Sequence, residues 1–517
     1  MSGDGLKLVL GLAQDSPVLV VGPEAERWRE VFPGSTVCRR LPGQGSPAGP
    51  FGLIVFHSAA AADAHAFRED LAGAVALLAE NGSLLVLAEN AASFRNLKRF
   101  IRGEWAVFNG KLFRGTRRCE KALQNRGIHG ISRFFALPSL ERPEELVALG
   151  SPLLELPHYW HPVLHAAKKL GLYRYLAEGV VLVAGASPLE RSGVARLIID
   201  AVSRLSDDGS EQWTVERMDI RKRGAVVLFL AEGRSGRGII ARVVSDSGID
   251  AIISKNHRFL EALAANPALA PEFRELLPCP LCRLDCSGAT VYVETMLRGI
   301  PAWKVNRGRL RDAVSRNALE FLRELGMATG RRVHLEQVFL DELLRNDLAL
   351  IEQSTVIDPD FREDLMLLVR QLKCSLGGRE VLMTASHGDY GYGNILVDQH
   401  SGAMKGVIDW DTGRTSDFPG IDLFNLLVQQ ERSAGNCGAQ AAFSLVVQGI
   451  VSGGYRQNQH LLRCLGEMGI EEGMVNQALS MSFLRYVTRA LQYPDLFLEE
   501  QEDFRSILGL LGEALPL

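Results

Sequence analysis

Cysteine is scarce in this chain. Eight thiols scattered over 517 residues cannot build the dense disulfide framework of a small secreted domain, so free thiols in a reducing, cytosolic compartment are expected. Long apolar runs are missing too: no stretch approaches the ~18 apolar residues of a membrane span. The opening MSGDGLKLVLGLAQDSPVLVV also lacks the basic segment and continuous apolar core of a leader, so no integral membrane segment is expected. Neither sign of charge is in excess. With 57 basic and 61 acidic residues the net charge is -4, which gives no field to attract nucleic acid or an anionic membrane. No internal repeat or low-complexity tract interrupts the chain. What remains is 47% hydrophobic and 23% charged, an ordinary globular balance, in a chain long enough for two or three cores at ~150 residues each.

Near the amino terminus PVLVVGPE (17–24), FGLIVFHS (51–58) and GSLLVLAEN (82–90) are short branched apolar runs, with helical sequence between the last two. This alternation predicts a parallel, doubly wound sheet, to which RFFALPSL (133–140) and GVVLVAGAS (179–187) would add the last strands. The segment resembles a class I methyltransferase, with Gly22 in the cofactor loop. The cofactor chemistry is poorly represented. Gly22 stands alone where several glycines are usual, and STVCRR ends in Arg39 and Arg40 where a ribose-binding acid belongs. Residues 23–50 are too few for two full βα units of ~30 residues, so one strand and helix are missing. A degenerate Rossmann-like domain (1–188), structural or partner-binding, is expected, followed by a helical linker (189–212) with the polar SDDGSEQ at its end.

Beyond residue 212 the pattern turns antiparallel. WTVERMDIRKRG, AVVLFLAEG and RSGRGIIARVV are broken by Gly and basic residues as hairpins require, and a helix near 250–265 and the pair in CRLDCSGATVYVETML complete a small lobe (213–300). Helical periodicity dominates 301–517. Inside it stands SHGDYGYGNILVDQHSGAMKGVIDWD (386–411). HGDxxxxN has the Asp-to-Asn spacing of a kinase catalytic loop, where Asp389 would accept a hydroxyl proton and Asn394 would bind metal. ILV, a turn and MKGVIDW then form a hairpin that returns Asp409 beside Asn394. A glycine-rich turn with an Asx cap explains the glycines but not the hairpin or the acids after it.

HGDYGYGN followed by VIDWD resembles the aminoglycoside phosphotransferase and choline kinase family, relatives of the protein kinases. The resemblance covers about 205–517 and implies an α+β bilobal kinase-like fold behind the α/β Rossmann-like domain. It implies ATP and magnesium as cofactors, with Asp389 as catalytic base, His387 fixing the loop, and Asn394 and Asp409 as magnesium ligands. Asp411 fits the family's supporting acid, and Asp422 its acid at the next helix start, where it would anchor the catalytic loop. Gly224 would approach the nucleotide phosphates, and Glu294, Thr295, Met296 and Leu297 would form the adenine-binding hinge. Arg242 stands where the family usually has a phosphate-binding lysine, and Glu261 is the only carboxylate in the body of the following helix. The acceptor implied is a small hydroxylated molecule, sugar-like or an amino alcohol, and the appended domain suggests surface glycan synthesis. Two readings from other classes remain: a catalytically silent kinase-like binding module, and a methyltransferase with a regulatory kinase-like part.

Two clusters invite a metal. Cys279, Cys282 and Cys286 lack a fourth partner nearby, and His158, His161 and His165 lack accompanying acids. Ordinary thiols and a hydrogen-bonded interfacial patch are the readings favoured for them.

Overall fold

The computed structural model describes residues 6–514 except 8, 23–24, 40, 42–48, 58–63, 90–115, 139–142, 150, 155–161, 170–172, 174–176, 178, 192, 206–212, 221–224, 234–236, 287, 306–308, 436, 452–458 and 493. Two compact units result, one of residues 1–254 with 280–296, the other of 255–279 with 297–517.

The first unit is organised by one twelve-stranded sheet. Its strands in chain order are β1 (Val18–Val21), β2 (Thr36–Cys38), β3 (Phe51–His57), β4 (Leu78–Glu89), β5 (Gly130–Pro138), β6 (Pro143–Ala148), β7 (Gly179–Gly185), β8 (Trp213–Asp219), β9 (Ala225–Glu232), β10 (Gly238–Val244), β11 (Pro280–Cys286) and β12 (Ala289–Thr295). Across the sheet they run β11-β12-β10-β9-β8-β6-β5-β7-β4-β3-β1-β2. Only β2, β1, β3 and β4 pair in parallel, whereas β7 lies antiparallel to both β4 and β5. The doubly wound expectation therefore holds for four strands. It fails beyond them because β7 returns between β4 and β5.

Period-two alternation builds a core on each face of this sheet. Val18, Val20, Leu53, Val55, Leu85 and Leu87 point into one cluster, and Leu19, Val21, Ile54, Phe56, Leu84 and Val86 into the other. All seven residues of β3 are buried, as a central parallel strand with both faces covered requires.

The sequence reading separates an amino-terminal domain from a small lobe at 189–212, but the sheet crosses that boundary unbroken. β6, whose PEELVA gives too weak a pattern to announce a strand, pairs with β8 at Leu146 opposite Met218. The first apolar layer continues through Val215, Leu228, Ile239, Val243 and Val293. Helix α1 (Gly193–Leu205) buries Val194, Ala195, Ile198 and Val202 in the same layer, so this part of the expected linker is a packed element. The polar 206–212 lies outside the described residues. Cys282 and Cys286 pack against that layer from β11, where burial raises both thiols. His158, His161 and the side chain of His165 lie outside the description.

The second unit is mainly helical. Its helices include α2 (Arg309–Thr329), α3 (Gln337–Gln353), α4 (Pro359–Leu376), α5 (Ile421–Gly435), α6 (Ala439–Val451), α7 (Gln459–Glu467), α8 (Val475–Leu491) and α9 (Pro494–Ala514). Local chemistry fixes their ends: Asp358 caps α4 by accepting the N–H groups of Asp360 and Phe361, with Pro359 at the first helical position. Helix α8 is buried on nearly every side, which places it at the centre of the unit's single apolar cluster. Two three-stranded sheets insert among the helices. One joins β13 (Ile300–Pro301), β16 (Ile395–Val397) and β17 (Met404–Val407); the other joins β14 (Arg331–His334), β15 (Glu380–Ser386) and β18 (Arg414–Asp417). Among the described residues no helix is long and apolar enough to cross a membrane.

Candidate active site

The loop between β15 and β16 carries the HGDYGYGN motif, and its backbone is held from three directions. The Asp422 carboxylate, in the first turn of α5, accepts the N–H of His387 at 2.5 Å and of Gly388 at 2.8 Å. Thr412 donates its hydroxyl to the His387 carbonyl at 2.9 Å. His387 is fully buried, tilted against Trp410 with ring centroids 4.5 Å apart. Its Nε2–H donates to the Ile408 carbonyl at 2.9 Å, and its Nδ1 accepts the Asp389 N–H at 3.2 Å. That pairing assigns the neutral Nε2–H tautomer. With both nitrogens spent on backbone and no exposure, His387 positions the loop and is no acid or base for a substrate.

Gly388 answers the question of why glycine precedes the Asp. Its φ is +79°, and a Cβ there would lie 2.8 Å from the Thr412 carbonyl oxygen. The conformation turns Asp389 out of the buried loop, half-exposed. Asn394 then ties back to it, donating Nδ2–H to the Asp389 carbonyl at 2.9 Å and, more weakly, to its Oδ2 at 3.4 Å.

The β16–β17 hairpin brings Asp409 to the same place. Ile395 pairs with Val407, and the Ile408 N–H donates to the Asn394 carbonyl at 2.9 Å, so Asp409 follows directly beside the loop. Asp409 has φ +66°, the only positive value for a residue other than glycine among the described residues. Asp tolerates this left-handed region better than most side chains, and strain of this kind collects where a side chain must be aimed. Its carboxylate makes no hydrogen bond or ion pair among the described residues. Asp411 accepts Asn256 Nδ2–H at 3.2 Å.

Asp389, Asp409 and Asp411 form one wall of a cleft of about 330 Å³. Arg432, Tyr486, Arg489 and Glu500 form the other. Arg489, from α8, donates to Asp389 Oδ1 and, at 3.2 Å, to the Gly388 carbonyl. Sequence reading missed this wall. Its only local signal is a pair of arginines, Arg485 and Arg489, four apart in an otherwise uncharged, largely buried helix. Arg485 points the other way, into the core, where it bonds Asp347 and, at 2.8 Å, Asp417 of β18. Burial pushes the Asp417 carboxyl up to about 6 and the Arg485 guanidinium down to about 9.

The oxygen-only set of Asn394 and Asp409 suits a hard cation such as magnesium, which keeps most of its shell for phosphate and water. No group of three His, Cys, Asp or Glu side chains able to hold a metal occurs among the described residues.

The nucleotide-side candidates belong to the first unit, except Leu297. Arg242, on β10, pairs with Glu294 of β12, Nη2 to Oε1 3.3 Å, both side chains largely buried. Glu261 is exposed and stands 3.7 Å from His257. The pairing follows from the sheet: Arg242 is opposite Tyr292, so Glu294 is its diagonal neighbour on the same face. Thr295 ends β12, Met296 N–H donates to the Gly238 carbonyl at 2.9 Å, and the chain passes into the second unit at Leu297. Gly224 and Arg40 lie outside the described residues.

Residues 228–443 match the model of the phosphotransferase enzyme family. No curated protein matches the chain. Among solved structures, an aminoglycoside phosphotransferase, APH(3'')-Id from Streptomyces rimosus, is 15% identical, covering 57% of this chain and 97% of its own at a TM-score of 0.35. A choline/ethanolamine kinase family protein from Mesorhizobium loti is 18% identical over 61% and 99%, with a TM-score of 0.28. A SAM-dependent methyltransferase from Thermotoga maritima is 13% identical over 36% and 88%, with a TM-score of 0.23.

Proposed function

We propose that the region bearing this phosphotransferase signature transfers the γ-phosphoryl group of ATP to a hydroxyl of a small molecule. The observation that carries the reading is the Asp389 loop: its carboxylate stands in a cleft with Asp409, on a backbone clamped by Asp422 and His387. Asp389 orients the acceptor hydroxyl and takes its proton, while Asn394 and Asp409 hold magnesium. When bound, magnesium neutralises charge on the phosphates and on the group in flight. Arg242 binds the nucleotide phosphates, and the backbone of Glu294, Thr295, Met296 and Leu297 reads the adenine edge. The acceptor is sugar-like or an amino alcohol, and the protein works in the cytosol.

The test is magnesium-dependent ADP release over a panel of hydroxylated compounds. Release should appear with wild type and vanish in Asp389→Asn, with nucleotide affinity retained.

One observation favours a second reading. Arg242 already has a carboxylate partner in Glu294, which weakens its attraction for phosphate and suits a silent binding module. Nucleotide binding without release over the whole panel selects that reading. For residues 1–188 we propose a methyltransferase-derived scaffold without methyl transfer. Gly22 supports this: a Cβ there would lie 2.6 Å from that of His57, so the glycine is explained by packing without a cofactor. Calorimetric binding of a methyl donor by the full chain overturns it.

A further inference from the structure

Two arginines, Arg432 and Arg489, reach the cleft that holds Asp389. Arg432 of α5 lines the cleft half-buried and makes no ion pair or hydrogen bond among the described residues. Arg489 lines it too, with its side chain 23% exposed and its guanidinium 5.4 Å above the Tyr486 ring. Glu500, also on the lining, accepts the Tyr486 hydroxyl at 2.9 Å. Two guanidinium groups around one opening offer the planar, multiple N–H donors that carboxylate and phosphate oxygens match.

We infer that the acceptor carries an anionic group, a carboxylate or a phosphate, gripped by Arg432 and Arg489 while its hydroxyl faces Asp389. The inference rests on the phosphotransfer reading and narrows it. A polycationic acceptor would bring its ammonium groups against two arginines, while Asp389 is paired with Arg489 and Asp411 accepts Asn256. The same geometry gives the anion a second effect. Without acceptor, Arg489 occupies Asp389 Oδ1. An arriving anion competes for that guanidinium and frees the oxygen to receive the hydroxyl proton. Binding of the correct acceptor thereby unmasks the base, and water, which brings no anion, leaves it masked.

The experiment uses the full chain with magnesium and ADP present, and titrates inorganic phosphate, acetate and, as the cationic probe, spermidine, following each by calorimetry. ADP binding, read in the same cell, reports on the phosphotransfer reading separately. Saturable binding of phosphate or acetate is expected in the millimolar range, weakened at least tenfold in Arg432→Gln and only partly recovered in Arg432→Lys, which keeps the charge but not the planar fork. Preference between the two anions tells which acceptor chemistry the clamp serves. Arg489→Gln should lose the anion while keeping a thermal unfolding transition near that of wild type. No saturable anion binding, anion binding indifferent to both substitutions, or tighter binding of spermidine overturns the inference, whether or not ADP binds.

Discussion

Replacing Asp422 by asparagine tests the anchoring of the HGDYGYGN loop at its most concentrated point. In the native chain one buried carboxylate accepts two backbone N–H groups, from His387 and Gly388. Asparagine offers one acceptor oxygen and an NH2, so one N–H keeps a neutral bond while the other faces a donor. Losing a charge-assisted bond and leaving a buried N–H unmatched costs about 3–5 kcal/mol together. Part of that is returned, because burial already raises the Asp422 carboxyl and a neutral side chain escapes that penalty. A net loss of about 2–3 kcal/mol remains, or ~4–12 °C in Tm for a cooperative unit of this size. The pH dependence adds a second signature. The folded state holds the Asp422 proton to higher pH than the unfolded chain does, so the site's contribution to stability falls as pH rises from the ordinary carboxylate value towards the raised one. Asp422→Asn should lose that slope. Differential scanning calorimetry from pH 3 upwards reads both effects. A variant that melts within ~1 °C of wild type, with the same pH profile, would refute the anchoring role.

Asp409→Gly should separate stability from function. Glycine relieves the left-handed strain at φ +66°, so the variant should be as stable as wild type or up to ~1 kcal/mol more stable, while magnesium-dependent nucleotide binding falls at least tenfold. Thermal unfolding and calorimetry with and without magnesium distinguish this from a purely structural Asp409, for which both would fall. Arg485→Met leaves the buried Asp347 and Asp417 carboxylates only the longer contacts of Arg414, at 3.9 and 3.6 Å, and should cost up to about 3–5 kcal/mol, read by chemical denaturation. A loss under 1 kcal/mol would show the pair to be dispensable.

The sequence by itself determined whatever chemistry is local. The HGDYGYGN loop, its hairpin and the acids after it lie within residues 386–411, and the hairpin pairing sets Asp409 beside Asn394. The anchoring place of Asp422 came from the family resemblance, and the amides it accepts, of His387 and Gly388, lie 35 and 34 residues before it. The strands of the small lobe were legible from their alternation, whereas β6 was not, because its acidic PEELVA becomes a strand only by pairing on both sides, with β5 and β8. Tertiary structure alone decided three things. It joined the two expected amino-terminal parts into one sheet, it chose Glu294 as the partner of Arg242, and it set Arg489 against Asp389 across a hundred residues of chain. Each is a meeting of side chains from elements distant in sequence. Periodicity specifies which face of an element is apolar, but not which distant element will cover it or which charge that element will bring.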